Sequence, residues 1–215
     1  KFGSYTGNGN ANGPFIYTGF KPAWVMAKRT DSTNDWNVFH SSLTTNYMMK
    51  LNATNAQFDA TAGTKGGGIT VDATNMTILA GAANQENNNK NDDEFIAYCF
   101  HNVTGYQKFG TYEGTGSSNS ITGLGFKPDF VMVKNIDSAR GWQMFDSIRG
   151  ANQLLFASST SDESDETAGT SLSSFDSDGF TVGTGNGVNE NGDTFIYWAI
   201  AKNVPQTNVL LNSFK

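Results

Sequence analysis

Apolar residues come in short runs along this chain, and the gaps between the runs are filled with Gly, Asn, Thr and Ser. Phe130-Val131-Met132-Val133-Lys134 is one such run, followed by a polar connection from Asn135 to Gly141. In Trp142-Gln143-Met144-Phe145-Asp146 an extended backbone places Trp142, Met144 and Asp146 on one face and Gln143 and Phe145 on the other, which is the two-residue period of a strand. Asn152 to Ala157, Phe180 to Val182 and Phe195 to Ile200 read as further strands, with Asn191-Gly192 as a turn before the last. That last strand is apolar on both faces, which predicts a central position in its sheet. No long stretch keeps a 3.6-residue period, so helices are expected to be few and short.

The pattern occurs twice. Lys1-Phe2-Gly3-Ser4-Tyr5-Thr6-Gly7 returns as Lys108-Phe109-Gly110-Thr111-Tyr112-Glu113-Gly114. Gly19-Phe20-Lys21-Pro22-Ala23-Trp24-Val25-Met26-Ala27-Lys28 returns as Gly125-Phe126-Lys127-Pro128-Asp129-Phe130-Val131-Met132-Val133-Lys134. Asp31-Ser32 matches Asp137-Ser138, Trp36 to Ser41 matches Trp142 to Ser147, and Asp93 to Phe100 matches Asp193 to Ile200. The offset shrinks between motifs and not within them, so length changes fall in loops. The chain therefore divides into repeat 1 at 1–105, repeat 2 at 106–203 and a tail or linker at 204–215. Several antiparallel strands per repeat must stack as two sheets to bury a face. The expected class is all-β, with two tandem antiparallel β-sandwich repeats of jelly-roll or lectin-like kind.

Charge and cysteine content narrow the partners. A net charge of −6 opposes the basic footprint of a nucleic-acid binder. No apolar run reaches the roughly 20 residues of a membrane-spanning helix. With one cysteine, Cys99, there is no internal disulfide, and the fold must hold by its core. The start at Lys1, already inside a repeat motif, suggests a piece of a longer polypeptide.

Tyr5 to Gly9, Gly19 to Met26, Asp137 to Trp142, Phe145-Asp146-Ser147-Ile148-Arg149-Gly150, Phe175 to Phe180 and Thr194 to Tyr197 together resemble an uncharacterised tandem repeat domain. That domain occurs in tail and other virion structural proteins of bacteriophages, particularly marine ones, sometimes beside concanavalin-like lectin domains. Repeat 2 fits it better than repeat 1, where Ser41 to Thr44 lacks the Arg-Gly and Val71 to Met76 replaces the Asp-Ser-Asp-Gly element. The resemblance implies a β-sandwich on a virion exterior and carries no activity.

Candidate chemistry is sparse. Cys99 and His101 share a strand face, as a nucleophile and base would, but repeat 2 has Ala199 and Ala201 there and a buried Cys is the simpler reading. No spacing of His, Cys and carboxylates suits zinc. Asp176 and Asp178 precede Gly179 as in a fragment of a calcium loop, although a turn stabilised by Asp side chains explains them equally well. Asp162, Glu163, Asp165 and Glu166 concentrate acids as a glycosidase pair would, but nothing desolvating flanks them and a solvated loop is expected. Trp36 and Trp142 follow polar loops at matching positions, so they are the aromatics chosen for stacking on a sugar, with Asp31 and Asp137 nearby for its hydroxyls. Trp24 and Trp198 lie inside apolar runs and are expected in the core.

These readings lead to a non-enzymatic virion structural protein, a tail fibre, tail-associated or capsid-decoration component. It would need no cofactor, with Ca2+ at Asp176 and Asp178 as the one exception. Its expected partners are other virion proteins or copies of itself in a homo-oligomer. The alternative is an adhesion module for a host surface glycan, and a glycan-degrading enzyme comes third.

Overall fold

The computed structural model describes residues 1–60, 68–79, 88–166 and 169–202; the tail placed at 204–215 and the Thr167 end of the acidic loop lie outside them. Among the described residues, repeat 1 contributes nine strands: β1 (Phe2–Thr6), β2 (Phe15–Tyr17), β3 (Trp24–Arg29), β4 (Asn37–His40), β5 (Tyr47–Lys50), β6 (Phe58–Asp59), β7 (Ile69–Val71), β8 (Asn75–Ile78) and β9 (Glu94–Phe100). Repeat 2 follows the same order with β10 (Gln107–Glu113), β11 (Asn119–Thr122), β12 (Pro128–Asn135), β13 (Gln143–Asp146), β14 (Gly150–Phe156), β15 (Ser164–Asp165), β16 (Leu172–Asp176), β17 (Gly179–Val182) and β18 (Thr194–Ala201), plus one short helix, α1 (Asn186–Asn189).

Each repeat pairs a six-stranded sheet with a three-stranded one. The large sheets run β1-β9-β3-β4-β5-β6 and β10-β18-β12-β13-β14-β15, and the small ones β2-β8-β7 and β11-β17-β16. All pairings between these strands are antiparallel. The fold is all-β, with two β-sandwich units. Duplication holds to the residue: Tyr5 faces Phe95 across β1 and β9, and Tyr112 faces Phe195 across β10 and β18. Each tyrosine ring stacks on its phenylalanine, at 5.1 and 5.2 Å between centroids.

Alternation along each strand fills the sandwich interiors. In repeat 1, Val25, Met48, Phe95, Ala97 and Cys99 of the large sheet meet Ile69, Met76 and Ile78 of the small one. In repeat 2, Val131, Val133, Phe145 and Phe195 meet Ile121, Leu172, Phe180 and Val182. A third core lies between the repeats, where Trp24, Val38 and Met49 pack against Phe109, Met132, Trp142 and Ile196. The outer faces of the two large sheets are thus pressed together, and the layers run small, large, large, small. β9 and β18 are apolar on both faces because each is covered by its own small sheet on one side and by the other repeat on the other. Both strands are also central, hydrogen-bonded on each edge.

Polar contacts cross the same interface. The Trp142 Nε1–H donates to the Lys50 carbonyl at 2.8 Å, the Gln57 N–H to the Ile136 carbonyl at 2.9 Å, and the Lys134 ammonium to the Thr54 carbonyl at 3.2 Å. His40 is fully buried there, and its ring edge approaches the Tyr197 carbonyl at 3.4 Å. Its Nδ1 accepts from the Ser42 N–H at 3.0 Å, so the proton sits on Nε2. Burial pulls the imidazole pKa down to about 4 and the Lys134 ammonium down to about 7.

Candidate functional site

Asp31 and Asp137, chosen as hydroxyl ligands, do the same structural job in the two repeats. The Asp31 carboxylate accepts from the Glu94 N–H at 3.2 Å, and the Asp137 carboxylate accepts from the Thr194 N–H at 2.6 Å. Each pins the first residue of the last strand, which explains why the pair survives in both copies. Asp31 also takes a 2.6 Å bond from the Arg29 guanidinium, and this bond holds its carboxyl below the usual range.

The two chosen tryptophans part company. Trp142 is 1% exposed and its ring meets Trp24 edge-on at 5.5 Å in the inter-repeat core, so it has no face to offer a sugar. A strand face that looks outward within one sandwich is the face the second sandwich covers. Trp36 remains half-buried against Tyr98, at 6.0 Å between centroids. The structure does not bring Trp36 and Trp142 together with Asp31 and Asp137 into one cleft. Trp24 is fully buried as expected, while Trp198 is half-buried in the same aromatic cluster.

The Asp176 carboxylate accepts from the Ser174 and Thr181 hydroxyls at 2.7 and 2.8 Å. Asp178 accepts from the Gly123 and Gly125 N–H groups at 3.1 and 2.6 Å, tying the β11–β12 loop to the β16–β17 hairpin. Both acids are thus engaged by groups of the protein, Asp178 by amides of another loop and not of its own turn, and among the described residues no group of three or more His, Cys, Asp or Glu is placed to hold a metal ion.

Cys99 is buried beside the Met76 sulfur at 3.7 Å, and desolvation pushes its thiol up to about 11, away from the thiolate a nucleophile needs. His101 lies just beyond β9, and its ring is tilted against Phe20 at 4.3 Å between centroids. In the acidic loop, Glu163 pairs with Arg149 at 2.9 Å, and Arg149 pairs with Asp146 at 2.6 Å. Burial alone would raise the Asp146 carboxyl, but the N–H and guanidinium of Arg149 outweigh it and hold it low. The Arg-Gly of repeat 2 is therefore a clasp for the loop that repeat 1 lacks.

Two features escaped sequence reading. Asn89 and Asn189, at equal distance before Phe95 and Phe195, are each fully buried. Asn189 Nδ2 donates to the Gly183 carbonyl at 2.6 Å and to the Ser117 carbonyl, and its Oδ1 accepts from the Thr115 N–H at 2.8 Å. Asn89 likewise donates to Asn10 and Gly13 and accepts from Asn8. The signal was Asn-x-Asn-x-Asp-x-Phe in both copies. The second feature is an aromatic pair on the outer face of the small sheet of repeat 1: Phe15 and Tyr17, two apart on β2, are 69% and 64% exposed. They face Thr77 and Asn75 on β8. The matching positions on β11 are Ser120 and Thr122, judged by the pairing of Ile16 with Met76 and of Ile121 with Phe180. Repeat 1 alone therefore presents rings there. Lys1 Nζ sits 4.9 Å from the Tyr17 centroid.

Comparison with known families finds a match to a domain of unknown function, DUF7483, over residues 1–42, 32–148 and 114–209. No curated protein and no solved structure matches the chain.

Proposed function

The chain belongs to the DUF7483 family, and we propose that it is a non-enzymatic structural and contact module of a virion exterior, of the tail-fibre, tail-associated or capsid-decoration kind. The observation that supports this reading is the third core, which fuses the two sandwiches back to back. A body without a hinge transmits position and load, and its two small sheets face outward as separate contact surfaces for other virion proteins or further copies of the chain. The resemblance to phage tail repeats supplies the setting. Antibodies against the purified chain should decorate intact particles banded from the source virus, at a fixed place on the tail or capsid surface. Absence of the chain from banded particles, or labelling only after they are broken open, would overturn the proposal.

A second reading, attachment to a surface glycan, is favoured by Phe15 and Tyr17. Exposed rings two apart on a strand, flanked by Thr and Asn, suit the alternating apolar faces and hydroxyls of a saccharide. The pair is also small beside the roughly 800 Å² per partner of a stable protein interface. A glycan array with the wild-type chain and with Phe15→Ala/Tyr17→Ala tests it: binding lost in the double variant supports the reading, and no binding by the wild type overturns it.

A further inference from the structure

The Gly-Phe-Lys-Pro motif occurs in both repeats, yet its surroundings differ, and beside the repeat 2 copy lies a cavity. In repeat 1 the His101 ring lies over Phe20 at 4.3 Å, and the next residue, Asn102, is tied down as its Oδ1 accepts from the Phe109 N–H at 2.8 Å. The counterparts of His101 and Asn102 in repeat 2 are Ala201 and Lys202, by the strand register that pairs Trp24 with Phe100 and Phe130 with Ile200. Where repeat 1 has an imidazole, repeat 2 has a methyl group. Beside them lies a cavity of about 640 Å³, lined by Phe126, Lys127, Pro128, Asp129, Ala201 and Lys202, together with Gly105 and Ser147.

That volume falls within the roughly 300–1,000 Å³ of small-ligand sites. The lining carries two ammonium groups, Lys127 and Lys202, against one carboxylate, Asp129, an excess of one positive charge on a chain of net charge −6. Asp129 is already engaged by the Ser147 hydroxyl, so its acceptor capacity is partly spent within the protein. Phe126 and Pro128 add an apolar wall. Cations beside an apolar wall match a ring that has one carbon-rich face and bears a carboxylate.

We propose that this repeat 2 cavity binds an acidic sugar residue of the uronate type, its carboxylate between Lys127 and Lys202 and its ring over the narrow apolar edge that Phe126 and Pro128 leave exposed. The proposal rests on the glycan-attachment reading and adds a second, charge-selective site far in sequence from Phe15 and Tyr17. It is independent of where the chain sits in a particle.

The test is titration of the full chain with glucuronate and with glucose as the neutral control, followed by calorimetry or by NMR. Glucuronate should saturate and glucose should not, and added salt should weaken the glucuronate response. Lys127→Gln should bind about tenfold more weakly, the equivalent of one charge-assisted hydrogen bond. Ala201→His, which installs the residue of repeat 1, should abolish binding; because Ala201 is buried in the repeat 2 core, Lys127→Gln, at an exposed residue, keeps the test valid where Ala201→His lowers the thermal midpoint. Equal responses to glucose and glucuronate, or a glucuronate response unchanged in Lys127→Gln, would sink the cavity site. If neutral glycans bind through Phe15 and Tyr17 while glucuronate does not, only this inference fails. If no saccharide binds at all, the attachment reading fails with it.

Discussion

Replacing Trp142 with alanine probes the joint between the repeats. The side chain is 1% exposed, packs edge-on against Trp24 at 5.5 Å, and donates to the Lys50 carbonyl at 2.8 Å. Loss of a buried Trp side chain costs about 3–5 kcal/mol through lost transfer energy and the cavity left behind. The edge-on aromatic pair accounts for about 0.5–1.5 kcal/mol of packing beyond area. The hydrogen bond adds little more, since the Lys50 carbonyl keeps a longer contact from the Ala53 N–H at 3.4 Å. A net loss of about 4 kcal/mol, at a urea dependence of about 2 kcal/mol per molar, moves the unfolding midpoint down by about 2 M. The shape of the curve matters as much as its position. Trp142 touches the third core and not the interior of either sandwich, so its removal should uncouple the repeats and split one transition into two. Phe145→Ala, inside the repeat 2 sandwich, should lower stability by a similar amount by weakening repeat 2 itself. Urea unfolding followed by tryptophan fluorescence and far-UV circular dichroism reads both quantities. A midpoint shift below about 0.5 M with one unchanged transition would refute the claim that the third core joins the sandwiches.

Three further outcomes follow from the buried polar groups. Lys134 has its pKa lowered to about 7 by burial, so between about 7 and its ordinary value of 10.5 the unfolded chain holds more protons than the folded one. Stability should therefore rise with pH across that window, and Lys134→Met should flatten the rise in urea titrations at several pH values. His40, lowered to about 4 from 6.5, contributes stability that is present above 6.5 and erodes as pH falls through 4; His40→Gln should remove that part of the acid sensitivity in thermal melts. Asn189→Ala strips bonds from Thr115, Ser117 and Gly183 at a fully buried site and should cost about 3 kcal/mol or more, measured by chemical denaturation.

Much of this architecture is written locally. Two-residue alternation, turn residues and internal repetition are properties of neighbouring positions, so the all-β class, the duplication and five of the nine described strands of repeat 2 (β12, β13, β14, β17 and β18) were legible without coordinates, while β10, β11, β15 and β16 were not. Asn191-Gly192 marked the turn before β18, and Gly192 takes a φ of 83°, a conformation in which repeat 1 accepts Asp92 at 65°. The turn at Asp176 to Gly179 was legible in the same way, but Asp178 spends its carboxylate on the Gly123 and Gly125 N–H groups more than fifty residues away, a role that the local pattern does not carry. Asp31 and Asp137 were visible as a recurring pair, but their shared N–H target lies more than fifty residues away in sequence, so their role was not.

The third core could only be decided in three dimensions. An apolar strand face says that something covers it, and a period of two carries no information about which layer does so. Trp142 follows a polar loop and, within one repeat, sits on an outward face; the second repeat turns that face into an interior and takes the ring out of reach of any ligand. Conversely Phe15 and Tyr17 look like core residues by type and stand exposed because β2 lies in a small sheet whose outer face the other repeat never reaches. Sequence determined which strands form and that they form twice, because those are short-range consequences of backbone and side-chain geometry. Which faces end up buried depended on how the two copies dock, a matter of long-range packing between surfaces that no single repeat contains.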